Sequence, residues 1–267
     1  MSGKEKERPF RDLVEGIIND TRGSIRGRGD TEQPSSAVIR KLIEHDYVRS
    51  LRRHLQYRHV RTLLADFIEI FPEFNRRPVE MLSTARFAEI ACALRFHINS
   101  TPLGGDDGLA LRGFYVASAS ELLKHPLIYV NTALHPLAAM TTFLHELGHH
   151  RSCSLLSIKH RSLHLFDADY TEHLRDPAEL AADVVVSLAG YPETAARKML
   201  TSAWDRGSGT RARELPATAV EEIHSHLGQA YGLDLAINMP HERRLHYLAG
   251  MIHFAKLRLA LMAEYDL

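Results

Sequence analysis

The stretch "FLHELGHHRSC", residues 143–153, contains the pattern H-E-x-x-H, and the rest of the chain is interpreted around it. On a helix, His145 and His149 are four residues apart and lie on one face, where two imidazoles can bind one metal ion. Glu146 is turned just enough to act as a base beside that ion. Because the chain has 17 histidines, the pattern can also arise by chance. It therefore needs support from elsewhere in the sequence.

Length and composition set broad limits. The chain has 267 residues, enough to bury a sizeable core, and its 33 basic and 33 acidic side chains balance. This balance gives no overall argument for binding to nucleic acid or to a membrane. The first residues lack the apolar stretch of a secretory signal, and two cysteines, Cys92 and Cys153, are too few for a disulfide framework. We therefore expect a cytoplasmic protein.

The chain divides into four predicted regions. Residues 1–36 include a stretch rich in Gly, Ser and Pro and are expected to be a mobile segment. Residues 37–78 carry apolar side chains at helical spacing and are predicted to form a helical, partly basic extension. Residues 79–192 contain the H-E-x-x-H motif and form the predicted core. Residues 193–267 are predicted to be a helical C-terminal region.

Helical and extended patterns alternate within the predicted core. The segment "STARFAEIACAL" predicts a capped helix, and "GLALRGFYVAS" and "HPLIYVNTAL" are rich in Val, Ile and Tyr, which is typical of strands. The motif helix follows, and "DPAELAADVVVSLAGY" predicts another helix that begins at Pro177 and ends near Gly190. We therefore predict a mostly helical α+β fold. A small antiparallel or mixed sheet packs on the motif helix, with helical additions at both ends.

A second motif offers the third ligand that a catalytic zinc site requires. Such sites combine three protein ligands, often imidazole and carboxylate groups, with one open position. Glu179 is the best candidate, because it lies on the next predicted helix in the arrangement Glu179-Leu-Ala-Ala-Asp183. Asp183 shares a helix face with Glu179. It is expected to accept the free ring N–H of a ligand histidine, with His145 as the preferred partner.

The two motifs and the order of the elements around them resemble the ImmA/IrrE family of gluzincin metallopeptidases, which combine H-E-x-x-H with E-x-x-x-D. The resemblance covers roughly residues 79 to 190. It implies a zinc peptidase domain in which His145, His149 and Glu179 bind zinc and Glu146 is the general base.

The resemblance also implies a function. Proteins of this kind cut a partner protein, often a helix-turn-helix repressor, and so release a stress, mobile-element or phage-defence response. We therefore expect a cytoplasmic zinc endopeptidase that has a repressor as its substrate. The alternative is a regulatory protein that binds nucleic acid or a partner and has a structural zinc site. Glu146 discriminates between the two, because a structural site has no use for a base beside an open coordination position.

Basic residues crowd the predicted N-terminal extension around Tyr57. A basic helix that carries an aromatic residue can follow a phosphate backbone, and Arg52, Arg53 and Arg58 are the candidate nucleic-acid contacts. The alternative is a solvated helix face whose charge is balanced by nearby acidic residues. These are Glu44, Asp46, Asp66 and Glu69.

Several further side chains have two interpretations. His150 is expected on the helix surface or beside the ligands. Cys153 could supply a thiolate to the fourth zinc position, but buried inert thiols are the simpler interpretation for both cysteines. The loop after the motif helix is expected to be solvated, although a second metal or a substrate-binding rim is conceivable among His160, His164, Asp167, Asp169 and His173. Tyr170 and His173 are candidates for stabilising an oxyanion.

Overall fold

The computed structural model describes part of each predicted region. The described residues are 46–72, 83–102, 112–117, 124–134, 136–158, 170–191, 196 and 241–265. At 136, 137, 171 and 241–249 only the backbone is described. Some predictions lie outside these residues, namely those for 1–36, for most of 193–240, and for His160, His164, Asp167 and Asp169.

Helices dominate the described residues. The helices are α1 (Tyr47–His54), α2 (Tyr57–Ile70), α3 (Thr84–Leu94), α4 (Pro136–Leu156), α5 (Tyr170–His173), α6 (Pro177–Gly190) and α7 (His241–Tyr265). The strands are β1 (His97–Asn99), β2 (Gly113–Val116) and β3 (Leu127–Val130). A mostly helical fold with a small sheet, as predicted, is confirmed for this part of the chain. None of these helices is both long and apolar enough to cross a membrane.

Local side-chain chemistry sets where the core helices begin. The Ser83 hydroxyl accepts a hydrogen bond from the backbone N–H of Arg86 at the start of α3. The Asp176 carboxylate accepts one from the N–H of Ala178 at the start of α6, where Pro177 occupies the first turn as predicted. These caps satisfy backbone donors that have no partner inside the helix. The start of α6 is therefore well defined, and this helix carries Glu179.

The three strands form a mixed sheet in the order β1-β3-β2. β1 pairs with β3 in parallel, and β2 pairs with β3 in antiparallel orientation, with Gly113 opposite Val130. Both β2 and β3 contact α4, the motif helix, as predicted. Gly113 permits this close approach, because a Cβ atom there would overlap the Thr142 side chain on α4 and would also lie 2.6 Å from the Tyr129 carbonyl oxygen on β3. The sheet therefore lies directly against the motif helix.

The two motif helices, α4 and α6, pack closely against each other at a glycine. A Cβ atom at Gly148 would lie 2.6 Å from the Ala182 Cα atom and 2.9 Å from its carbonyl oxygen. Only a residue without a side chain fits such a crossing. Gly148 lies one residue before His149, and Ala182 lies one residue before Asp183. The close crossing therefore brings the polar residues of the two motifs together.

Helices that the sequence assigned to terminal additions cover α6. Helices α1, α2 and α7 all contact it, and its residues 178–190 are all buried. Asp66 on α2 forms an ion pair with Arg151 on α4. One apolar cluster runs from Leu51 to Leu261 through the motif helices. The flanking helices therefore share a hydrophobic core with the residues of the predicted site.

Candidate metal centre

The two motifs bring three possible metal ligands together. The Nε2 atoms of His145 and His149 lie 3.0 Å apart, and they lie 3.1 Å and 3.4 Å, respectively, from Oε2 of Glu179. All three side chains are buried. In a tetrahedral zinc site with bonds of about 2.0 Å, neighbouring ligand atoms are separated by about 3.3 Å. The donor types and their separations therefore fit a zinc ion held by the three predicted ligands.

Asp183 accepts hydrogen bonds from three histidines. Its Oδ1 atom lies 2.9 Å from Nδ1 of His145, the contact that the sequence predicted. Its Oδ2 atom lies 2.9 Å from Nδ1 of His173 and 2.8 Å from Nε2 of His253. Asp183 is fully buried. Because its contact occupies Nδ1 of His145, Nε2 of that ring is directed toward His149 and Glu179.

The electrostatics of this group favour negatively charged carboxylates. Burial alone would raise the pKa of Asp183, but its interactions with His173 and His253 and the hydrogen bond from His145 hold it well below its usual range. Burial opposes ionisation of Glu179 as well, and hydrogen bonds with His145 and His149 outweigh it, so the pKa of Glu179 is lowered. Both carboxylates are therefore in the charged form that a cation requires.

Glu146 is buried beside the ligands but is not one of them. Burial, with a smaller contribution from the charge of Glu179, raises its pKa to about 7. A Cβ atom built at Gly113 would lie 3.5 Å from Glu146 Cγ, so this side chain lies between α4 and strand β2. A carboxyl group with a pKa near neutrality can both accept and return a proton. Glu146 therefore has the chemistry of a general base and acid.

His173 lies beside the candidate ligands, although the sequence placed it at the end of a loop. Its Nδ1 atom bonds to Asp183, and its Nε2 atom lies 4.0 Å from Oε2 of Glu179. Burial lowers its pKa, but the charge of Asp183 outweighs burial and the pKa is raised. This shift favours the doubly protonated ring, the form that carries an N–H at Nε2 on the side of the metal ligands. Tyr170, the other candidate for stabilising an oxyanion, accepts a hydrogen bond from Arg112 at 3.3 Å.

His173 also belongs to a second cluster of possible ligands. Ligand atoms of His145, His173 and Asp183 all lie within 4.8 Å of one another. This group shares His145 with the first and is joined by the hydrogen bonds to Asp183. Its geometry is explained by those hydrogen bonds without a second ion.

His253 is the site residue that the sequence analysis missed. It lies on α7, 70 residues after Asp183, so no local spacing connects the two. The only signal is a histidine within the apolar stretch "GMIHFA" of a predicted helix. A fully buried histidine normally has a polar partner, and a search for one across the chain could have suggested the buried Asp183.

His150 and the cysteines lie apart from the candidate ligands. Nδ1 of His150 lies 3.5 Å from the Tyr115 hydroxyl, and its ring packs against Phe96. Neither cysteine belongs to a group of possible ligands within the described residues. Cys92 is exposed and Cys153 is partly exposed, so the expectation of buried thiols is wrong for Cys92.

The arginines of the predicted basic segment differ in their contacts. Arg52 is exposed and forms a 2.8 Å ion pair with Glu264 on α7, so part of its charge is balanced by a neighbouring carboxylate. Arg53 and Arg58 are exposed, and Nε of Arg58 lies 3.4 Å from the ring of His59. Tyr57 between them is also exposed. All three candidate arginines are therefore exposed, and Arg52 differs from Arg53 and Arg58 in being paired with a carboxylate.

Comparison with known proteins adds no family to this description. A scan against protein-family models found no match, and a search of curated proteins found none. The roles of the residues are therefore inferred from their geometry and from the resemblance of the two motifs.

Proposed function

We propose that this protein is a zinc-dependent endopeptidase. The observation that carries the proposal is the convergence of His145, His149 and Glu179 in a buried group, with Glu146 beside it on the same helix. A site that only stabilised the fold would not need a buried carboxyl group with a pKa raised to about 7 next to its ligands. These four residues have the chemistry of peptide hydrolysis.

The residues of the chain divide the reaction between them. His145, His149 and Glu179 would hold a zinc ion, which as a Lewis acid would polarise the scissile carbonyl group and lower the pKa of bound water to about 7. Glu146 takes a proton from the attacking water molecule. It then passes the proton to the leaving nitrogen as the C–N bond breaks.

His173 is the residue we propose for stabilising the oxyanion. Its ring is held through Nδ1 by Asp183, and Nε2 lies on the side of the metal ligands. An N–H donor in that position stabilises negative charge on the carbonyl oxygen as it forms. The neighbouring Tyr170 bonds to Arg112 instead.

The proposed substrate is a helix-turn-helix repressor that this protein cuts in the cytoplasm, in a stress, mobile-element or phage-defence response. The support for this substrate is the resemblance of residues 79–190 to the ImmA/IrrE family. Helices outside that segment, α1, α2 and α7, contact α6, which carries Glu179 and Asp183. Recognition of a partner by these flanking helices would act close to the site.

The second candidate function is that of a regulatory protein with a structural metal, which binds nucleic acid. It is favoured by the exposed Arg53 and Arg58 on either side of the exposed Tyr57. In that case the metal ion and Glu146 would take no part in a reaction.

The substitution Glu146→Gln distinguishes the two candidates. Zinc content, melting temperature and cleavage of the repressor encoded by a neighbouring gene are measured for the parent and the variant. Because the amide keeps the shape and cannot accept a proton, zinc stays bound and cleavage falls by about 10²- to 10⁴-fold or more. Glu172→Gln, an exposed carboxyl on α5, is the matched control and cleaves normally.

The outcomes are distinct. Equal cleavage by the parent and Glu146→Gln would contradict the peptidase mechanism. Zinc bound in both, with no cleavage by either, would favour the regulatory binding protein.

A further inference from the structure

His253 connects the C-terminal helix to the carboxylate that holds a metal ligand. It lies on α7 and is buried. Its Nε2 atom is 2.8 Å from Oδ2 of Asp183, while Oδ1 of Asp183 is 2.9 Å from Nδ1 of His145. The path from α7 to the candidate metal ligand therefore contains only two hydrogen bonds.

The other ring nitrogen of His253 faces helix α1. Its Nδ1 atom lies 3.1 Å from the hydroxyl of Tyr47. A neutral imidazole has one donor and one acceptor, and the carboxylate of Asp183 can only accept. Nε2–H of His253 therefore donates to Asp183, and Nδ1 accepts from the Tyr47 hydroxyl. The carboxylate of Asp183 therefore sets the tautomer, and the Tyr47 hydroxyl donates to the ring nitrogen that is left as the acceptor.

Ring packing holds His253 in this orientation. The ring of Tyr170 stacks on it, with centroids 5.0 Å apart and planes inclined by 24°. Gly250, one turn earlier on α7, lets Tyr170 approach, because a Cβ atom there would lie 2.6 Å from the Tyr170 hydroxyl. The ring of Tyr47 is a second aromatic neighbour, with its centroid 5.5 Å from that of His253. Aromatic neighbours therefore restrict rotation of the His253 ring.

We propose that His253 is a positioning residue of the metal site, and that the Tyr47 hydroxyl supports it by donating to Nδ1 of the ring. His253 acts through Asp183, whose second carboxylate oxygen it shares with His173. Because one oxygen is held by His253 and His173, the other is aimed at Nδ1 of His145. Helices α1 and α7 therefore belong to the site. This inference rests on the metal site of the proposed function.

A purely structural role for His253 makes a different prediction. If the ring only filled space in the core, its loss would lower stability and leave the metal affinity of the folded protein unchanged. If it acts through Asp183, its loss weakens metal binding, and the effect disappears once the carboxylate is gone. Metal affinity and a double substitution therefore separate the two roles.

The test measures the affinity of the metal-free, full-length protein for zinc by competition with a chromophoric chelator. His253→Leu removes the donor and is expected to weaken zinc binding by about 10-fold, at the low end for residues that orient ligands. His253→Gln places an amide N–H near the position of Nε2 and restores part of the affinity. Tyr47→Phe, which removes only the hydroxyl, has a smaller effect.

Two further proteins complete the experiment. The double variant His253→Leu with Asp183→Asn is expected to bind zinc no more weakly than Asp183→Asn alone, because both changes break the same path. Leu261→Ala changes a fully buried residue about two turns after His253 on α7, and serves as the matched control for lost packing. It is expected to lower the melting temperature without changing zinc affinity. The absorption spectrum of bound cobalt(II) should change in His253→Leu and stay unchanged in Leu261→Ala.

The results that overturn the inference differ from those that overturn the proposed function. Parent-like zinc affinity in a folded His253→Leu protein, or additive losses in the double variant, would overturn the role of His253 alone. A parent protein that binds no zinc would overturn the metal site, and this inference with it.

Discussion

His145 and Asp183 are joined by a buried contact of 2.9 Å between Nδ1 of the imidazole and Oδ1 of the carboxylate. The contact leaves Nε2 of His145 for the group formed with His149 and Glu179. Asp183 lies one helical turn after Glu179 on α6. One short segment of chain therefore supplies both a candidate ligand and the residue that orients another ligand.

Asp183→Asn should weaken zinc binding by about 10- to 100-fold. The amide has one oxygen and one N–H₂ group, so it cannot accept from all three histidines, and a buried donor is left without a partner at a cost of about 1–3 kcal/mol. Zinc competition and urea unfolding of the metal-free protein measure the two effects. Ser187→Ala, which removes only a hydroxyl bond to the Asp183 carbonyl, is the control. Unchanged zinc affinity in Asp183→Asn would contradict the orienting role.

The candidate ligands should be needed for metal stoichiometry. The parent is expected to bind about one zinc ion per chain, and His149→Ala or Glu179→Ala should each sharply reduce that occupancy, because two remaining ligands chelate too weakly. Metal analysis after dialysis measures the content. His150→Gln changes the next residue on the same helix, outside either group of possible ligands, and should keep its zinc. Full occupancy in Glu179→Ala would remove Glu179 from the ligand set.

Gly148→Ala tests the close crossing of the motif helices. Alanine favours a helix over glycine by about 1 kcal/mol, but overpacking costs about 1–3 kcal/mol, and here the obstructing atoms are backbone atoms of Ala182. We expect net destabilisation of up to about 2 kcal/mol and weaker zinc binding, because the crossing brings the ligands together. Gly190→Ala, where the nearest atom is 3.9 Å away, is the control and should be neutral or stabilising. Urea unfolding gives both values, and equal stability of the two variants would contradict the argument.

Helical spacing explains which parts of the site could be predicted. His145 with His149, and Glu179 with Asp183, are pairs four residues apart, and a helix fixes such pairs on one face. The contact between Asp183 and His145 also followed from the pairing of the two motifs. The contact between His253 and Asp183 did not follow, because the two residues are 70 positions apart and only tertiary packing brings them together. A periodic pattern identifies the buried face of a helix but not the helix that covers it.

The fold, like the site, could be predicted only where the deciding contacts are local in the sequence. The caps at Ser83 and Asp176 act within three residues, so the starts of α3 and α6 are readable from the sequence. The strand segments were also recognisable, but their order, with β3 in the centre, depends on long-range pairing. The pairing of Arg52 with Glu264 joins residues at opposite ends of the described chain. The number and spacing of charged residues in the sequence could not distinguish Arg52, which is paired with Glu264, from its neighbour Arg53.

Exposed arginines provide a test of nucleic-acid binding. Arg53→Glu combined with Arg58→Glu should abolish any binding, and parent binding should weaken with salt with a slope of about −0.9 for each duplex phosphate neutralised. Arg52 is left in place, since its reversal would put two carboxylates together at Glu264. The control reverses two exposed charges elsewhere, Lys124→Glu with Arg175→Glu, and should bind as the parent does. A parent that shifts neither DNA nor RNA at low salt would end this hypothesis.

His173→Gln tests whether the histidine beside the ligands stabilises the transition state. Nε2 of His173 lies 4.0 Å from Oε2 of Glu179, so an N–H at that atom would lie beside the metal ligands, where the oxyanion is expected to form. Loss of one such donor lowers kcat by about 10²- to 10³-fold, and KM should change little because the charge develops only in the transition state. Zinc content should stay at one per chain, since His173 is not a ligand of the first group.

Tyr170→Phe, which removes the hydroxyl bonded to Arg112, is the control and should keep kcat within a few-fold. Unchanged kcat in His173→Gln would contradict the donor role. If the parent instead binds two zinc ions per chain and the variant binds one, His145, His173 and Asp183 hold a second ion.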